Sequence, residues 1–158
     1  MRKTLEAISL VLLAGLVWIT GRALYGPNPL PASIPTHFDA AGNPNGWGPP
    51  STLLVLPLVA VGLSLLISVV ALFPKMFSYP VRVTEQNRAR LEALTLKMVA
   101  WIKFELVCLL TLIQWFILQF ARVGHGTLSP AIVGVFLAAI LGTVIVYMLA
   151  IVRAARPD

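Results

Sequence analysis

Four long apolar runs dominate this 158-residue chain, from about Leu5 to Leu24, Leu53 to Phe73, Met98 to Ala121 and Pro130 to Val152. Each is long enough, as a helix, to cross a hydrocarbon core about 30 Å thick. Lipid offers no partners for backbone N–H and C=O groups, so each run must be helical. Hydrophobic residues make up 58% of the chain and charged residues 11%. A soluble domain of this size needs more polar side chains to cover its surface. The expected fold is an all-α integral membrane protein, one four-helix domain over residues 1–158, with a structured loop over 25–52 and a second loop over 74–97. The first run follows Met1-Arg2-Lys3 and also has the form of a signal peptide; it is read as a span.

Basic residues orient the spans. Arg2, Lys3, Lys75, Arg82, Arg88, Arg90, Lys97, Arg153 and Arg156 fall on one side, and only Arg22 and Arg122 on the other. The positive-inside rule then predicts both termini in the cytoplasm and loop 25–52 outside. The net charge of +6 has the same origin. No recognition motif accompanies it, so nucleic acid is not an expected partner. Cys108, the only cysteine, lies inside an apolar run and forms no intrachain disulfide.

Pro74 and Pro80 break the chain after the second span. The segment EQNRARLEALTLKM is rich in helix formers, with Thr84 able to cap it and Glu85 in its first turn. This helix is expected to continue into the third span. Small residues recur every fourth position as Ala60, Ser64 and Ser68, and as Gly134, Ala138 and Gly142. Such ridges let membrane helices approach closely, within the bundle or in a homo-oligomer.

Four polar residues are embedded in the runs: Glu6, Lys103, Glu105 and Gln114. Charge inside lipid is costly unless paired or near the interface. Lys103 has the length to snorkel to the surface. Glu105 is deeper, and two expectations fit it: a basic group on another helix, or Lys103 of a neighbouring chain. Gln114 suits a hydrogen bond between helices. No series of mid-membrane acids marks an ion path.

The first loop carries IPTHFDAAGNPNGWGPP, and seven prolines and four glycines lie between Gly26 and Pro50. The prolines favour an extended path. Gly42 and Gly46 with Asn43 and Asn45 supply turn chemistry, which predicts a short hairpin or Ω-like loop. Phe38 and Trp47 are expected at the headgroup layer. His37 and Asp39 are two apart, so an extended strand turns both to one side. They could fix a turn, bind a metal such as zinc or copper with His125, or serve catalysis with Asp39 holding His37 as a general base.

The segment LPASIPTHFDAAGNPNGWG, with its flanking spans, resembles the N-terminal domain of the bacterial SdpI-type immunity proteins. That family includes immunity proteins against a secreted sporulation-delaying toxin and many short membrane proteins of unknown function. Pro31, Ile34, Pro35, His37, Gly42 and Trp47 match its pattern. Asn45 stands where the family usually has Asp, and Pro49 or Pro50 where it has Lys; together these changes remove a charge pair. The resemblance covers about Leu5 to Phe73. It implies a bacterial cytoplasmic-membrane protein with its motif outside, and no established enzyme activity for the short members; it names no cofactor.

The expected role is therefore non-enzymatic. The outer loop would bind a peptide, a lipid or a partner protein through Ile34, Pro35, His37, Asp39, Gly42, Asn45 and Trp47, with toxin immunity the sharpest version. Two alternatives stay open: an accessory subunit of a larger membrane complex, and a metal-binding protein or enzyme built on His37, Asp39 and His125.

Overall fold

The computed structural model describes residues 1–155. Arg156, counted among the basic residues above, lies outside them. Four helices are long and apolar enough to cross a membrane, and the chain is a membrane protein of mainly helical fold. Helix α1 spans Arg2–Tyr25, α2 Val55–Val70, α3 Glu85–Val123 and α4 Pro130–Ala154. Between α1 and α2, strands β1 (Ile34–Phe38) and β2 (Pro44–Gly48) pair antiparallel, and a 3-10 turn, Pro50–Leu54, leads into α2.

Helix α3 is the centre of the molecule: α1, α2 and α4 all pack on it. Its start is set by a reciprocal cap. Thr84 Oγ1 accepts from the Asn87 backbone N–H at 3.3 Å, and Asn87 Oδ1 accepts from the Thr84 N–H at 2.8 Å. It ends at Gly124, whose φ of +80° suits a residue without Cβ. Between those stops no proline interrupts it, so the helix predicted from EQNRARLEALTLKM runs directly into the third apolar run.

Two apolar clusters close the ends of the bundle. Ala23, Ile34, Leu53, Ile117, Leu118 and Ala121 are buried together where the hairpin meets the helices. At the opposite end Leu91, Ile151 and Ala154 are buried, with Tyr79, Val81 and Val83 of the connecting segment laid over them.

Polar side chains tie the helices at two levels. Lys103 is only 4% exposed; it forms an ion pair with Glu6 of α1 and donates to Ser68 Oγ of α2 at 3.1 Å. It is thus buried rather than snorkelled, because α1 delivers a carboxylate at its depth. Further along α3 by roughly 16 Å, Gln114 Nε2 donates to Thr20 Oγ1 of α1 at 2.9 Å and to the Leu53 carbonyl at 3.0 Å. Glu105, on another face of α3, accepts from Thr143 Oγ1 of α4 at 2.6 Å. Its partner is a hydroxyl, since Lys103 is already engaged by Glu6 within the chain.

The two small-residue ridges differ in placement. Ala60, Ser64 and Ser68 turn inward, and the Ser68 hydroxyl meets Lys103. A Cβ at Gly134 or Gly142 would meet nothing within 4 Å among the described residues, so neither glycine serves a close helix approach there.

Candidate functional site

The reversal between β1 and β2 is built by Asp39. Its Oδ1 accepts from the backbone N–H groups of Ala41 at 2.8 Å and Asn43 at 2.9 Å, and its own N–H donates to the Asn43 carbonyl at 2.8 Å. This is the side-chain turn that Asp favours because its short carboxylate reaches the backbone just ahead. Gly42 completes the turn with φ +81°, and its carbonyl accepts from the Leu128 N–H at 3.0 Å. A Cβ there would lie 2.0 Å from the Leu128 carbonyl oxygen. The hairpin can therefore dock on the 124–129 loop only with glycine at this position.

The register contains two compensating irregularities. Pro35 pairs with Trp47, His37 with Gly46 and Phe38 with Pro44, so Thr36 is extra on β1 and Asn45 extra on β2. Bulges re-aim side chains. Here the extra residue brings Asn45 Oδ1 to His37 Nδ1, 2.5 Å away. An amide oxygen only accepts, so this contact suits the ring tautomer protonated on Nδ1, which in the neutral ring leaves Nε2 as an acceptor. Gly46 makes room beneath the ring, for a Cβ there would come within 3.0 Å of His37 Cβ.

Aromatic residues seat the hairpin on α3. Phe38 and Trp47, one from each strand, meet Phe120 edge-on, with ring centroids 6.4 Å and 5.8 Å apart. Such pairs contribute about 0.5–1.5 kcal/mol each beyond the area they bury. Trp47 remains 54% exposed, an amphipathic ring at the rim.

Between the hairpin and the helices lies a cleft of about 400 Å³, a size typical of small-ligand sites. Pro35, Thr36, His37 and Phe38 of β1 form one wall, and Leu56, Ile113 and Ile117 provide much of the rest. Gln114 also lines it and is fully buried, at 0% exposure. With Nε2 committed to Thr20 and Leu53, its Oε1 has no hydrogen-bond partner among the described residues. A buried carbonyl left in this state costs about 1–3 kcal/mol. The arrangement is an apolar slot, one of whose lining residues keeps an unpartnered amide oxygen buried behind its surface.

His37, Ile34, Pro35, Asn45 and Trp47 are thus brought together in one hairpin, with Asp39 and Gly42 in its turn. His125 is elsewhere: it lines a second cavity of about 280 Å³ with Trp115, Phe116 and Phe120, which shares only Phe38 and Leu128 with the cleft. Among the described residues no three His, Cys, Asp or Glu side chains come together as a metal-binding group. His37 turns to Asn45 while the Asp39 carboxylate is spent on the turn, so the two do not hydrogen-bond to each other. Glu6 and Lys103 pair with each other, and Glu105 with Thr143, away from the hairpin.

Sequence reading missed Thr20, Phe120, Leu128 and Thr143. Thr20 carried a faint signal, a hydroxyl among aliphatic neighbours. The others resemble any residue of an apolar helix or short loop until the chain is folded.

Residues 12–61 match the family described as a domain of unknown function, DUF1648. No curated protein and no solved structure matches the chain. The matched segment runs from α1 through the hairpin into α2 and contains Thr20, His37, Asn45, Trp47 and Leu53. It excludes α3, which supplies Gln114 and Phe120. The cleft is therefore a composite of the matched segment and a helix beyond it.

Proposed function

We propose that this chain is a non-enzymatic bacterial membrane receptor of the SdpI-like type, with its hairpin outside and both termini in the cytoplasm. Its cleft captures an apolar, membrane-active peptide, and toxin immunity is the corresponding activity. The observation that carries this reading is the cleft of about 400 Å³ between β1 and α3, with His37 and the unsatisfied Gln114 in its lining. Nine basic residues on the opposite side support the orientation. An apolar side chain leaving water for the slot contributes about 1.5–3 kcal/mol, and His37 and Trp47 at the rim provide polar and aromatic contacts. The domain boundaries follow the same reading, one functional unit over 1–158.

Protection of cells against a secreted membrane-active peptide tests it. His37→Ala and the cleft-filling Leu56→Trp should each abolish protection at unchanged membrane abundance. Full protection by both variants refutes the reading.

One observation favours a second reading, an accessory subunit or homo-oligomer. The Gly134, Ala138 and Gly142 ridge has open space around its glycines, and such ridges commonly meet another helix. Co-purification of a partner in fixed stoichiometry, lost in Gly142→Leu, would support it.

A further inference from the structure

We infer that the hairpin end of α1 carries a binding site for an anionic phospholipid, whose phosphate is held by Arg22 between Trp18 and Tyr25. The site shares no lining residue with the cleft and is independent of the receptor reading.

At this end α1 has two unlike faces. Leu16, Thr20 and Ala23 are buried in the bundle. Trp18, Arg22 and Tyr25 each follow one of them by two positions, about 200° around a helix, and so form the opposite face. Trp18 is 67% and Tyr25 84% exposed. Along this face runs an open groove of about 460 Å³, lined also by Val17 and Gly21. A Cβ at Gly21 would meet nothing within 4 Å. The helix backbone is thus bare beside Arg22, and a lipid chain can lie against it.

The helix end fixes the depth. After Tyr25 the chain leaves α1 for the loop that leads to the hairpin, and irregular backbone is not stable against hydrocarbon. The last turn of α1, with Arg22 and Tyr25, therefore borders the headgroup layer. Trp18 lies one turn deeper, about 6 Å, within the zone that amphipathic aromatics occupy.

Charge selects the occupant. Arg22 has no carboxylate partner among the described residues, and Asp39 of the hairpin uses its carboxylate in the turn. A guanidinium presents paired N–H donors that match two oxygens of one phosphate. The bilayer supplies phosphate at this depth, attached to chains that suit Val17, Gly21 and the Trp18 ring. Phosphatidylcholine carries its own cation beside the phosphate, so the site favours a headgroup with net negative charge.

The test places the full chain in phosphatidylcholine vesicles, with Trp47, Trp101 and Trp115 replaced by Phe so that Trp18 alone emits. Quenching by dibrominated phosphatidylglycerol is compared with quenching by dibrominated phosphatidylcholine. The glycerol lipid should be preferred about fivefold, the worth of one cation at a lipid surface. The preference should fall to near one in Arg22→Gln and in Gly21→Leu, which fills the groove but keeps the charge. Arg122→Gln removes the arginine in the last turn of α3, outside the groove, and should leave the preference unchanged. In the chain with all its tryptophans, native mass spectrometry should count one fewer retained phosphatidylglycerol in Arg22→Gln and no change in Arg122→Gln. No preference at Trp18, a preference that survives Arg22→Gln, or equal losses in the two arginine variants overturns the inference.

Discussion

Asn45 Oδ1 and His37 Nδ1 meet across two offset bulges of the hairpin, 2.5 Å apart. An asparagine or an aspartate at position 45 would each present an oxygen that accepts from the ring. What changes is charge: the amide orients the imidazole without placing an anion beside it.

That contact specifies a tautomer. Nitrogen-detected NMR of the ring-labelled protein should find the neutral His37 imidazole protonated on Nδ1. Asn45→Asp should keep the proton there, and Asn45→Leu should release the ring to a mixture. Protonation on Nε2 in the wild type would contradict the geometry.

Gly42 sits at φ +81°, and the Leu128 carbonyl occupies the place of its missing Cβ. Gly42→Ala should lose about 1–3 kcal/mol from the backbone conformation alone, and more from the clash. The thermal midpoint in detergent should fall by several degrees and the hairpin amides should lose exchange protection. An unchanged midpoint would mean that the hairpin does not dock on the 124–129 loop.

Glu6 and Lys103 form a buried pair between α1 and α3. Removing one partner of such a pair typically costs about 3–5 kcal/mol, while replacing both with apolar residues is often nearly neutral. Glu6 is partly exposed, so Glu6→Gln should fall at the low end and Lys103→Met should cost less than Lys103→Ala. The informative comparison is Glu6→Leu with Lys103→Met together. The double variant should be more stable than Glu6→Leu alone; additive losses would exclude the pairing.

Thr143 donates to Glu105 and is the polar tie between α4 and α3. The near-isosteric Thr143→Val leaves Oε1 without its donor, and Oε2 already lacks one among the described residues. The expected loss is about 1–3 kcal/mol, read as faster hydrogen exchange along α4. Thr143→Ser should restore protection. Equal exchange in all three proteins would show that α4 is held by packing alone.

Much of this architecture is legible before folding. Twenty or so consecutive apolar residues have one solution in lipid, so the four long helices follow from the runs themselves. The cap at Thr84 and the reversal around Gly42 are also local, because each involves residues only a few positions apart. Even His37 to Asn45 lies within one hairpin, although the pairing depends on two bulges that no periodicity announces.

The long-range relationships are different in kind. Glu6 meets Lys103 and Thr20 meets Gln114 only because α1 settles against α3 at one depth and one rotation. In water, polarity distinguishes the outer face of a helix from the inner one. In lipid both faces are apolar, and packing and a few hydrogen bonds choose the partner face. The sequence by itself therefore determined that this chain crosses the membrane on four helices and folds back between the first two. Only the tertiary structure decided that α3 completes the hairpin's cleft and that Gln114 is buried there against Thr20 and Leu53.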